Sequence, residues 1–455
     1  MRRPLLILCL AFASFLTTAP LRAQMVEESL GRDPGPLDFI LGDSYEQWIL
    51  QSLAGDALVG LSGHGRVVPR LASAWKVQKN GALSFTLRPD ARFPDGSRVS
   101  ADDVLWTFQE LRRNPKASPT KRAILESADV GIDQGHPWIR SAKPMGRLLM
   151  ELARIPIAQK DHPDRGSGPF AYRKEAGAWV FTRREHFLKP RIDGIRFRLL
   201  PDPAGVMTAL QKGWLTIGAP ATRRQTEVPA THRLITQPMH AQLVVWSRLG
   251  ISPLQRLEQW RKDAFPPQLL GGNARPSRGL WPESLGFPAQ AILAGATPKG
   301  PGSATLLYAA GEESIEKLLL ALRERARKDG FELQLAPLEL GLLMERLQKG
   351  DFQLACSMVV FDPHPWSVME YLDPSGPMNF TGWKHPRLAE LCTKIQQPDD
   401  TGWHDLQLIW AQSPAALPLL DFQSFIWVDR NLQVEPGPMG LYLSTPGAAG
   451  WWWSR

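Results

Sequence analysis

The sequence predicts an α/β protein of two lobes separated by a cleft. Three observations predict it. A strand–helix–strand–helix–strand run extends from Thr305 to Phe361, and such a run builds a parallel sheet with right-handed crossovers. A second α/β region begins near Asp193, far from the first along the chain. The chain has 455 residues, more than one hydrophobic core holds and enough for two or three domains.

In the first run, TLLYA (Thr305 to Ala309) reads as a short apolar strand. Ser314 is placed to cap a helix whose apolar face is Ile315, Leu318, Leu319 and Leu322, with Gly330 at its C-terminal end. FELQL alternates Phe331, Leu333 and Leu335 as a half-buried strand. Leu338 to Lys349 reads as a second helix, stopped by Gly350. FQLACSMVVF is almost continuously apolar, which suits the middle of a sheet. In the second region, IRFRLL alternates Ile195, Phe197 and Leu199, DPAGVMTALQKG forms a helix ending at Gly213, and WLTIG is the next strand. Between the two regions, Pro266 to Gly302 is rich in proline and glycine and has no clear period.

Earlier in the chain, FPDGSRVSADDVLWTFQEL (Phe93 to Leu111) opens with a turn and becomes a helix. Gly96 follows Pro94 and Asp95, Ser100 precedes Asp103 by three residues as in a capping box, and Val104, Phe108 and Leu111 share one face.

Hydrophobic residues are 43% and charged residues 22%, the composition of a globular chain and not of a disordered one. Arg2 and Arg3, the apolar run PLLILCLAFASFL, and APLRAQ have the three-part form of a secretory leader. The apolar run falls short of the roughly 20 residues a bilayer span needs. The net charge of +8, from 53 basic and 45 acidic residues, includes Arg2, Arg3 and Arg22 of the leader, and the other basic residues are scattered. RERARK (Arg323 to Lys328) reads as a solvated helix face and not as a nucleic-acid patch. Cys356 and Cys392 lie outside the leader, and Cys356, inside an apolar strand, reads as a small buried hydrophobe more readily than as half of a disulfide.

Several segments, taken in order, resemble the extracellular solute-binding proteins of ABC importers, family 5, which includes oligopeptide, dipeptide and nickel binders. They are PRLASAWKVQKNGALSFTLR (Pro69 to Arg88), the turn–helix stretch from Phe93, GSGPF (Gly166 to Phe170), the element from Asp193 to Gly213, and NFTGWKHP (Asn379 to Pro386). The resemblance implies a periplasmic binding protein-like fold of two α/β lobes with a hinge and interlobe cleft, and an extra subdomain in lobe one. The expected division is a leader over 1–23, lobe one over 24–50, 165–240 and 420–455, its subdomain over 51–164, and lobe two over 241–419. The turn–helix stretch is then a packing signature of the subdomain. The chain departs from the family over Gln242 to Gly302, where the usual long run of lobe-two helices is not evident, which suggests a trimmed lobe and a more open cleft.

Ligands of doubly wound sheets bind beyond the carboxyl ends of the parallel strands. The strand ending at Phe361 leads into DPHPW, where the family's ligand-contacting loop lies, so Asp362, His364 and Trp366 are candidate ligand contacts. Asn379 and Trp383 belong to the matched late element, and Tyr45 falls where lobe one's ligand-facing loop is expected. Each has a plainer reading: a turn for Asp362, a solvated loop for His364, core packing for the tryptophans, loop ordering for Asn379. Peptide-binding relatives end this strand in a pattern like W-x-x-D-x-x-[DE]-P, whose first aspartate pairs with the peptide's α-amino group. Aligning Asp362-Pro363 to its end puts Val359 at that aspartate and Cys356 at that tryptophan, and a shift of a residue or two makes Asp362 the substitute.

The implied function is a periplasmic receptor, delivered across the membrane by a cleaved leader. It hands a small solute, peptide-like or other, to an inner-membrane ABC permease, acting as a monomer without nucleic acid, cofactor or metal. Alternatives are a carbohydrate or other neutral-ligand receptor, a non-transport sensor of the same fold, and a secreted hydrolase with cleft carboxylates. The sequence contains no G-x-S-x-G, H-E-x-x-H, P-loop or G-x-G-x-x-G, and no histidine pair at metal-ligand spacing, so the expectation is a binding protein and not an enzyme.

Overall fold

A computed structural model describes residues 25–62, 65–220, 225–265, 274–279, 281–282, 285, 298, 301–361, 365–374, 376, 378–395, 400–434 and 447–454. The leader and Cys9 lie outside these residues.

The largest sheet has seven strands, and its parallel part is the run foreseen from the sequence. Gly302–Ala309 pairs in parallel with Phe331–Leu338 on one side and Leu354–Val360 on the other, through the crossover helices Glu313–Lys328 and Leu340–Lys349. The middle position of Leu354–Val360 explains the apolar run at its start, since both faces are covered over Leu354–Cys356, while Met358 and Val360 near its end are exposed. Leu354 and Cys356 face a core with Leu318, Leu319 and Leu322, whereas Ala355 and Val359 face one with Leu343 and Leu347. Cys392 belongs to the second core, so the two thiols sit on opposite faces of the sheet and are free. Gly350 closes its helix in the left-handed region at φ 66, donating its N–H to the Arg346 carbonyl. Ser314 is not a cap: the helix begins at Glu313 with Glu312 as N-cap, and Glu313 and Glu316 place negative charge at the positive end of the helix dipole.

The second α/β region differs from its sequence reading. Gly194–Leu199 lies in a separate four-stranded sheet, parallel to Met25–Leu30 and antiparallel to Ala178–Arg183. The helix Pro203–Gln211 follows, capped by Asp202, whose carboxylate accepts from the Gly205 N–H at 2.7 Å. The next strand shrinks to Ile217–Gly218 and joins the other sheet, on Ala416–Asp429. The unit therefore ties two sheets together and is not a β-α-β within one.

A four-stranded antiparallel sheet of Ala72–Val77, Leu83–Leu87, His136–Arg140 and Asp129–Asp133 packs with the helix Ala101–Arg113 on its own core. The turn before this helix uses Gly96 at φ +86, and Asp103 accepts from the Ser100 N–H at 2.8 Å. Thr107 exchanges hydrogen bonds with the backbone of Ala158, and Asp103 also accepts from the Lys160 N–H at 2.8 Å. The motif thus docks its helix onto the chain returning near residue 158, a packing role.

Two strands are unusually long: His232–Ser247, with 16 residues, and Ala416–Asp429, with 14. They pair antiparallel from His232 opposite Asp429 to Trp246 opposite Ala416, and the register breaks between Pro238 and Gln242. Before the break, Ile235, Ile426 and Val428 enter the core of the four-stranded sheet built on Met25–Leu30. Beyond it, Leu243, Val245, Leu417 and Leu419 enter the cores of the seven-stranded sheet. The two cores are joined by one two-stranded ribbon, interrupted where it passes from one to the other.

A buried ion cluster holds the smaller antiparallel unit to the sheet beside it. Asp56 is fully buried and receives Arg70 Nε at 2.6 Å and His186 Nε2 at 2.7 Å. Burial disfavours its charge, but Arg70 and His186 outweigh that and hold the carboxyl below its ordinary range. Asp56→Ala strands Arg70 in the interior and is expected to cost about 3–5 kcal/mol in urea unfolding. Because the folded pKa lies below the unfolded value of about 4, the contribution is present above that pH and lost as pH falls through the folded pKa. Wild-type stability should therefore drop more steeply below about pH 4 than that of Asp56→Ala.

Candidate functional site

The ribbon sets where the parallel strands end. His232–Ser247 runs away from the first core, and Leu354–Val360 is antiparallel to its second half, with Val360 opposite Ala241. The carboxyl edge of the parallel sheet therefore points back to the register break. Phe361 donates its N–H to the carbonyl of His240 at 2.7 Å, and His240 holds φ +40. Met239, Met358 and Val360 are 42%, 52% and 62% exposed and form an apolar lip at this edge. Asp362 and His364, which follow directly, lie outside the described residues.

Beside this edge, on the face that carries Val359, is a recess of about 300 Å³, a volume that includes open solvent at its mouth. Its wall includes Gln242, Trp246, Trp281, Phe361, Tyr371 and Trp410. Trp246 stacks on Tyr371 at 5.7 Å and meets Phe380 edge-on at 5.4 Å, and its Nε1 donates to Ser357 Oγ at 2.9 Å. The Gln242 amide donates through Nε2 to Asp421 Oδ1 at 2.7 Å, an oxygen that also accepts from Ser277 Oγ at 2.6 Å.

A larger recess of about 700 Å³ lies between the helix Tyr45–Ala54 and the antiparallel unit. Arg70, Lys121 and Arg154 line it, with Trp48, Gln51 and Leu61. The Arg154 guanidinium stands 4.9 Å over the Trp48 ring. Lys121 is buried, and its Nζ donates to Phe39 O, Gly42 O and Gln51 Oε1 at 2.9, 3.1 and 2.7 Å. Burial pushes its pKa down to about 7 despite Asp43 and Asp38 nearby. Leu61 also packs in the core that holds Trp246 and Trp383, so this recess borders the second lobe. Among the described residues lining either recess, none is acidic. No group of three metal-ligating side chains occurs among the described residues.

The remaining sequence candidates take structural positions. Trp366 is 1% exposed and meets Trp403 edge-on at 5.0 Å. Trp383 is buried against Trp410 at 4.9 Å, and its Nε1 donates to Ser413 O at 3.0 Å. Neither tryptophan presents a face to a cleft in this conformation, so the packing reading applies to both. Asn379 clamps its loop, donating to Asp373 O and Trp383 O and accepting from the Trp383 N–H at 2.9 Å. Tyr45 is the first residue of its helix and 65% exposed, and it lines neither recess. Sequence reasoning missed Gln242, Trp246, Tyr371 and Trp410, whose convergence depends on strand pairing far apart in the chain. It also missed Lys121, which looks like any surface lysine in SPTKRAIL.

A two-lobed α/β architecture, crossed by paired strands and with recesses on both sides of the crossing, is the periplasmic binding protein fold. Residues 66–236 match the bacterial extracellular solute-binding proteins, family 5 Middle. The chain is 23% identical over 432 residues to the probable D,D-dipeptide-binding periplasmic protein DdpA of Escherichia coli K12, covering 83% of this chain and 81% of that one. In fold it is similar to the unliganded open form of the periplasmic murein tripeptide binding protein MppA, with a TM-score of 0.79, 16% identity, and coverage of 95% and 98%. The oligopeptide-binding protein AppA of Bacillus subtilis, in complex with a nonapeptide, superposes with a TM-score of 0.65, 16% identity, and coverage of 95% and 100%. The family match thus covers residues 66–236, and the chain as a whole shares the fold of these binding proteins at low identity.

Replacing Asn379 by Ala removes three loop bonds while leaving the Trp383 N–H and carbonyl buried. Urea unfolding should show a loss of about 1–3 kcal/mol, with circular dichroism unchanged under native conditions.

Proposed function

We propose that the chain is an exported receptor that closes its lobes over a small solute and presents it to an inner-membrane ABC import permease. The observation that carries this reading is the interrupted ribbon. The register breaks between Pro238 and Gln242 and shifts again between Leu243 and Val244, so the pairing is locally weak where the ribbon passes between two cores. The proposed lobe limits are those expected from the sequence: lobe one over 24–50, 165–240 and 420–455 with its subdomain over 51–164, and lobe two over 241–419, so that the break lies at one crossing between them. In this reading residues 1–23 are a leader removed on export to the periplasm, and the mature chain acts there as a monomer.

The solute is proposed to be neutral. A peptide's terminal ammonium needs a carboxylate in a closed cleft, since leaving it unpaired costs several kcal/mol. Val359 lines the smaller recess and offers none, and no acidic side chain lines either recess among the described residues. The same observation disfavours a hydrolase with paired cleft carboxylates.

Mass spectrometry of what co-purifies with the protein should identify a small solute. That solute should stabilise the protein by roughly 2.7 kcal/mol at 100 times its dissociation constant. Its turnover by the protein would instead establish an enzyme. Free-amine di- to pentapeptides should bind with a dissociation constant no tighter than about 100 μM, roughly 5.5 kcal/mol, by isothermal titration. Low-micromolar binding that disappears in Asp362→Ala would transfer the amine-pairing role to Asp362 and contradict the neutral-ligand reading.

A further inference from the structure

The core beneath the carboxyl edge of the parallel sheet contains a row of buried polar atoms with no hydrogen-bond partner. They are Gln242 Oε1, Trp366 Nε1, both amide atoms of Gln407, and Trp410 Nε1. All four residues are at most 3% exposed. Buried polar groups are ordinarily paired, and each orphan is costly in an apolar interior. Such a concentration marks a place that is filled by something other than the protein's own side chains. Gln407 and Trp410 lie three residues apart on the helix Thr401–Gln412, hence on one face, and Trp366 packs on Trp403 one turn earlier.

Two of these residues, Gln242 and Trp410, line the 300 Å³ recess, and the chemistry of their free atoms is fixed by what surrounds them. The Asp421 carboxylate can only accept, so the NH₂ end of the Gln242 amide must be the end that faces it, at 2.7 Å. The opposite end, Oε1, is then a carbonyl acceptor without a donor. Trp410 Nε1–H is a donor without an acceptor. Around them stand Trp246, Trp281, Phe361 and Tyr371, with no charged side chain among the described lining. An ion entering this recess would lose its hydration without direct contact with a counter-charge, since the Asp421 carboxylate stands behind the Gln242 amide.

We infer that this recess is a ligand subsite for an uncharged amide or hydroxyl group carried on a flat apolar body, which donates to Gln242 Oε1 and accepts from Trp410 Nε1. The inference rests on the receptor reading and specifies the part of the solute that lobe two holds. The apolar body lies against the aromatic wall, and the rest of the solute extends past Phe361 to the register break.

Four probes of nearly equal size test it: benzamide, benzyl alcohol, benzoate and benzylammonium, followed by ligand-observed NMR on the full chain. Benzamide or benzyl alcohol should bind saturably and at least tenfold more tightly than either ion. Trp410→Phe, which keeps the ring and removes the donor, and Gln242→Met, which keeps the length and removes the acceptor, should each weaken the neutral probe about tenfold. Thermal melting identifies a variant that fails to fold, and the other variant then carries the comparison. Equal or tighter binding of an ion, no saturable binding of either neutral probe, or neutral binding unaffected in the folded variants would each overturn the subsite. If the subsite fails while the co-purified solute still stabilises the protein, the row of polar atoms holds only water and the receptor reading stands. If that solute also gives no stabilisation, both readings fall.

Discussion

Everything in this molecule depends on a single antiparallel pairing, that of His232–Ser247 with Ala416–Asp429. Those two strands provide the shared edge on which the parallel sheet of lobe two is built, and their opposite ends are packed into the core of lobe one. Ladder hydrogen bonds transmit position well along a continuous strand. The interruption between Pro238 and Gln242 is where that rigidity lapses, because a proline donates no ladder bond and His240 takes a positive φ. The same interruption touches the functional edge, since the Phe361 N–H bonds the His240 carbonyl. A change of angle at the break therefore moves the strand end that leads to the candidate loop.

Within each lobe the chain is held more firmly. The Asp56–Arg70–His186 cluster and the Thr107–Ala158 bonds tie the antiparallel unit to its neighbour. In lobe two, Trp246, Tyr371, Phe380, Trp383 and Trp410 build a dense aromatic core under one sheet face. A rigid aromatic wall suits recognition of an apolar body, and the few neutral polar atoms within it set orientation. The cationic lining of the larger recess, with Lys121 fully engaged by three acceptors, belongs to lobe one's own scaffold.

Local chemistry was readable from the sequence. The central strand Leu354–Val360, the glycine stops at Gly330 and Gly350, and the Ser100–Asp103 start depend on residues close in the chain, and periodicity and cap rules see them directly. Pairing across long separations was not. Nothing in WLTIG shows that only Ile217–Gly218 form a strand, or that they join the strand near Val428. The burial of Trp366 and Trp383 was undecidable for the same reason: a tryptophan that stacks on a ligand and one that packs in a core have the same sequence surroundings until the opposing residues, Trp403 and Trp410, are known. The loop at Asp362 and His364 was located by the end of its strand, and the recess beside it emerged only from the convergence of residues 242, 281, 371 and 410.

The most direct test is the distance between the lobes. Spin labels on Glu185 in lobe one and Lys328 in lobe two would occupy exposed positions, and both native thiols are buried. Pulsed electron resonance should give a broad distance distribution for the solute-free protein. Saturation with the co-purified solute should replace it with a shorter, narrower one. A single narrow distribution that is identical with and without that solute would contradict motion about the Pro238–Gln242 break.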